Sequence, residues 1–147
     1  MDVACIGAGK TVVVTEGANQ TGVVQGEGTV ALSGGMLEVS NALESSRIHG
    51  LTMGSGGTLT GAATLDVSSS FAWEHESTMS GSGSTVLLPG STGSFTLAST
   101  ANLTRRTLVN EGVLTQSSGR LALAEGAEVK NVGTYKANSS PGIELGS

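Results

Sequence analysis

"LVNEGVLTQSSGRLALAEGAEVKNVGTYK", residues 108–136, states one phrase twice: Asn110-Glu111-Gly112-Val113-Leu114 and Asn131-Val132-Gly133-Thr134-Tyr135. Asn110 and Asn131 are separated by the same interval as Gly112 and Gly133. Recurrence at such a spacing is the mark of a repeat architecture. Stepping back from Leu108 by that interval reaches Leu87, in the apolar run "TVLL". A weaker echo links "GTVALSGGMLEVS", from Gly28, with "GTLTGAATLDVS", from Gly57; each is two short strands joined by a bend of small residues. The intervals drift, so the repeat is irregular. The plain alternative is that two Asn-x-Gly turns coincide by chance in a chain rich in glycine.

Around this stretch the sequence alternates between apolar and polar residues with period two, in "TVVVT", "TVALS", "MLEVS", "TLDVS", "TVLL", "SFTLAS", "TLVN", "RLALA" and "AEVKN". These segments favour strands, and the Gly, Ser and Asn clusters between them read as turns. Helical signals are few. Asn41 and Glu44 in "SNALESS" could cap a single turn, and Gly126 interrupts "LALAEGAEV". A repeat of about 20 to 30 residues holding two or three short strands suits one coil of a parallel β-helix, with coils stacked ~4.8 Å apart. The expectation is an all-β, single-stranded, right-handed parallel β-helix of about six or seven coils, with residues 1–147 as one domain.

In that fold Asn110 and Asn131 occupy one corner of successive coils, where asparagine tolerates left-handed backbone and the two amides can bond to each other. Gly112 and Gly133 relieve the next tight position. Arg106 shares a face with Leu108 and Asn110 and is expected to satisfy carbonyls at a coil corner. Alternation points Leu87, Leu108, Leu114, Leu121, Leu123 and Val129 inward.

Composition narrows the function. Charged residues make up 13% of the chain, where about 25% is usual. The 23 glycines among 147 residues are more than twice the usual share of about 7%. With 3% aromatic residues, the interior should be narrow and lined by Ala, Val and Leu. A net charge of -5 with seven Lys plus Arg argues against nucleic acid or anionic lipid as partners, since both require a clustered basic face. Cys5 is the single cysteine, so no disulfide can form within the chain. No run approaches the ~20 apolar residues of a membrane span, and "MDVACIGAGK" lacks the shape of a signal peptide. A secreted parent would thus make this chain a fragment, and the closing Gly146-Ser147 has the look of a cloning remnant.

Few motifs bear on chemistry. "GAGKT", residues 7–11, resembles the end of a phosphate-binding loop, but Ala4 stands where the first glycine belongs and a strand-like "VVVT" follows. Glu74 and Glu76 in "WEHES" would sit on one side of an extended segment, ~7 Å apart, with His75 opposite. Such a pair could hold Ca²⁺ or act on a glycoside. A solvated acidic face is the plainer reading. Threonine pairs such as Thr58 and Thr60 suggest an ice-binding face, yet no Thr-x-Thr column recurs at the coil period. Asn19, Asn102 and Asn138 begin N-x-S/T triplets, which are glycan acceptors only in a eukaryotic secreted protein. No nucleophile, base and orienting group can be assembled, so neither enzymatic activity nor a cofactor is expected.

The segments Met79-Ser80-Gly81-Ser82-Gly83, Arg106-Thr107-Leu108-Val109-Asn110-Glu111-Gly112 and Asn131-Val132-Gly133 resemble the degenerate repeats of large bacterial surface and secreted proteins, the autotransporter passengers and filamentous-haemagglutinin-like adhesins. The resemblance covers roughly residues 50 to 137 and is one of style. It implies a structural or adhesive β-helical stalk, secreted or on the cell surface, with a glycan or protein as partner, or adjoining segments and end-to-end copies of itself. The alternative is a carbohydrate-binding or polysaccharide-degrading β-helix fragment, which should carry more converging acidic residues and aromatic platforms than this chain has.

Overall fold

The computed structural model describes residues 2–138 and 142–145, with side chains described except at 97–99 and 142–145. Gly146 and Ser147 lie outside the described residues, as do Ser139 and Ser140 of the Asn138 triplet. The chain is a β-solenoid of about six turns. Among the described residues 17 strands join one sheet, every pairing is parallel, and no helix occurs.

The strands stack in three columns. The first runs through Val3–Cys5, Val23–Gln25, the start of Ser46–Met53, the start of Thr64–Trp73, Ser84–Leu87, Thr107–Asn110 and Glu128–Asn131. The second holds Thr11–Val14, Thr29–Leu32, the ends of Ser46–Met53 and Thr64–Trp73, the starts of Thr92–Thr104 and Val113–Ala124, and Thr134–Ala137. The third holds Ala18–Thr21, Met36–Val39, Thr58–Thr60, Thr78–Met79, the ends of Thr92–Thr104 and Val113–Ala124, and Gly142–Leu145. Each column therefore has seven levels joined by six turns.

Alternation within each strand sets one rank of side chains inward, where it stacks on the same rank of the next level. Leu32, Met53, Trp73 and Phe95 form one such ladder in the second column, all fully buried. Leu87, Leu108, Leu114 and Leu121 are buried as their alternation required, whereas Leu123 and Val129 are only partly buried. Val129 lies on the seventh level, the last among the described residues, and Leu123 on the sixth, where it pairs with Leu145.

All four aromatic residues gather in one place. Phe71, Trp73, Phe95 and Tyr135 meet edge to face at centroid distances of 5.5 to 6.4 Å, the geometry their quadrupoles favour. The interior is thus not uniformly aliphatic. Gly93 makes room for the cluster: a Cβ there would stand 2.7 Å from Leu114 Cδ1 and 3.3 Å from Phe71 Cδ2.

Register explains why the repeat is faint. Along the first column the inward partners are Ala4, Val24, Ser46, Leu65, Thr85, Leu108 and Val129. Their spacing is uneven, shortest from Ser46 to Leu65 and longest from Thr85 to Leu108. The expected match of Leu108 with Leu87 is off by two: Leu108 stands over Thr85, and Leu87 pairs with Asn110. The echo between Gly28 and Gly57 is likewise one of local form. The first of these segments feeds the second and third columns, the other the third and first.

Candidate functional site

The corner between the first and second columns carries the repeated phrase. Asn110 and Asn131 are direct register partners. Asn110 Nδ2 donates to Asn131 Oδ1 and to the Thr134 carbonyl, both at 2.8 Å, and Asn110 Oδ1 accepts from the Gly112 amide at 3.2 Å. Asn110 is fully buried whereas Asn131 is exposed. Below them Ser91, Gly112 and Gly133 stack so closely that a Cβ on Gly112 would stand 2.3 Å from the Ser91 carbonyl oxygen, and one on Gly133 2.2 Å from that of Gly112. The left-handed backbone expected of the asparagines lies instead at the corner between the third and first columns, at Arg105 (φ 61°) and Glu125 (φ 53°). Their exposed side chains pair at 2.8 Å.

Arg106 occupies the inside of that same corner and is fully buried. Its Nε donates to Thr85 Oγ1 at 2.9 Å, Nη1 to the carbonyls of Gly61 and Ser80, and Nη2 to those of Ala63 and Ser84, at 3.0 to 3.3 Å. One side chain thereby joins three successive corners. Burial lowers its pKa to about 10, which still leaves it charged at neutral pH. The guanidinium is held by peptide dipoles and a hydroxyl.

Glu74 and Glu76 are not in an extended segment. The strand ends at Trp73, and residues 74–77 form the bend between the second and third columns, with Glu74, His75 and Glu76 exposed. Trp73 turns inward and donates through Nε1 to Ser77 Oγ. Among the described residues no group of three or more His, Cys, Asp or Glu could hold a metal ion. The "GAGKT" segment is a turn and an edge strand, Gly9 having φ +74°.

Two other ionisable groups are displaced by their surroundings. Burial raises the Asp66 pKa, with Arg47 lowering it and Glu111 raising it. Burial also pushes the Tyr135 hydroxyl up to about 12, and that hydroxyl bonds Gln116 Oε1 inside the last turn.

The outer face of the second column escaped the sequence reading. Its two outward ranks are Thr11, Thr29, Gly50, Ser70, Thr92, Val113 and Thr134, and Val13, Ala31, Thr52, Ala72, Ser94, Thr115 and Lys136. Every residue before Lys136 is uncharged. A Cβ on Gly50 would stand 2.8 Å from both Thr29 Oγ1 and Ser70 Oγ, which shows how close the rank is packed. A shallow trough of about 340 Å³ runs between the ranks, edged by Thr52, Ser70, Thr92, Ser94 and Thr115. The threonines alternate with Ala, Ser, Gly and Val, so a sequence search for a repeated Thr-x-Thr cannot see the face.

Comparison of the chain with protein-family models, with curated proteins and with solved structures gives no match in any of the three.

Proposed function

We propose that the chain is a non-catalytic structural or adhesive module of a secreted or cell-surface bacterial protein, a stiff stalk that spaces or presents other surfaces. The observation that supports this most is the continuity of the interior. Inward ranks follow one another through the stack, and Arg106 ties three corners together with five hydrogen bonds. A filled rod of interlocked levels resists bending and holds a distance, as a spacer must. The bacterial surface setting rests on the resemblance of Met79–Gly83, residues 106–112 and residues 131–133 to adhesin repeats.

The test is to place the chain between two fluorescent domains and measure the distance distribution between them. A stiff spacer adds a narrow increment of ~29 Å, six rises of ~4.8 Å. A broad distribution like that of a flexible linker would contradict the reading. The second reading, carbohydrate binding, is favoured by the hydroxyl-edged trough at Thr52, Ser70, Thr92, Ser94 and Thr115. Binding on a glycan array that is abolished by Thr92→Glu would support that reading instead.

A further inference from the structure

We draw no further inference here: the strongest candidate, the uncharged outer face of the second column with its shallow trough edged by Thr52, Ser70, Thr92, Ser94 and Thr115, is a stripe of small residues, and nothing among the described residues shows what covers it.

Discussion

Replacing Arg106 by methionine removes a side chain that spans three corners. Five hydrogen bonds from a charged donor, at ~1.5–3 kcal/mol each, would naively sum to about 7–15 kcal/mol. Two features of the site reduce that figure. Burying a cation without a carboxylate partner carries a desolvation cost of several kcal/mol, which methionine does not incur. The Gly61 carbonyl also accepts from the Gly83 amide at 3.1 Å, so it keeps a partner when Arg106 is gone. Methionine in addition refills much of the volume. The expected net loss is about 3 kcal/mol, read as a lower midpoint in equilibrium urea unfolding or as a fall in melting temperature of about 6–12 °C for a chain of this size. Arg106→Lys should fare little better, since an ammonium lacks the planar fork that reaches the paired carbonyls. A methionine variant within about 0.5 kcal/mol of the parent, or more stable than it, would refute the reasoning. It would place Arg106 with buried ionic groups that apolar residues replace without loss.

The Asn pair should respond unequally: Asn110→Ala costs on the order of 1–3 kcal/mol because three hydrogen bonds are lost from a buried site, whereas Asn131→Ala, at an exposed position, costs less than about 1. The double substitution should cost measurably less than the sum, by chemical denaturation of all four proteins. Gly112→Ala drives a methyl into the Ser91 carbonyl, and its backbone shift should cost about 1–3 kcal/mol in the same assay. Tyr135 has a folded pKa raised from 10.0 to about 12, so the folded state binds more protons between those values. Its contribution is fully present below pH ~10 and is lost as pH rises through about 12. Melting temperatures followed from pH 9 to 12 should therefore fall more steeply for the parent than for Tyr135→Phe, with the opposite drift from Arg106 cancelling in the comparison.

The parallel β-solenoid was legible because the final step of the first column leads into two corners of the same shape, at Asn110 and Asn131, and so repeats a phrase of the sequence. Elsewhere the steps shorten, as from Ser46 to Leu65, or lengthen, as from Thr85 to Leu108. The slack is taken up in corners of unequal length, so Leu87 could not be matched to its true partner. Alternation alone was enough to turn Leu87, Leu108, Leu114 and Leu121 inward. It carried no information on level, and so could not show that Leu123 and Val129 are only partly buried. The carbonyl acceptors of Arg106 extend to Gly61, far back along the chain and beyond any local pattern. The gathering of Phe71, Trp73, Phe95 and Tyr135, and the uncharged outer face of the second column, depend in the same way on register across levels. The corner at Glu74 and Glu76 was misread because strand-like composition around Trp73 continues past the point where the chain bends.

The stacking of levels in register is tested most directly by a disulfide between outward partners. Val109 and Lys130 face each other across adjacent levels of the first column, with Cα atoms expected ~4.8 Å apart, within the range a disulfide bridges. In a Cys5→Ser background, the Val109→Cys, Lys130→Cys pair should oxidise within one chain at high dilution, giving a monomer of raised mobility on a non-reducing gel. The pair Val109→Cys, Val132→Cys, shifted by two residues, should stay reduced under the same conditions. Failure of the first pair to close, or equal closure of both, would contradict the register on which the whole architecture rests.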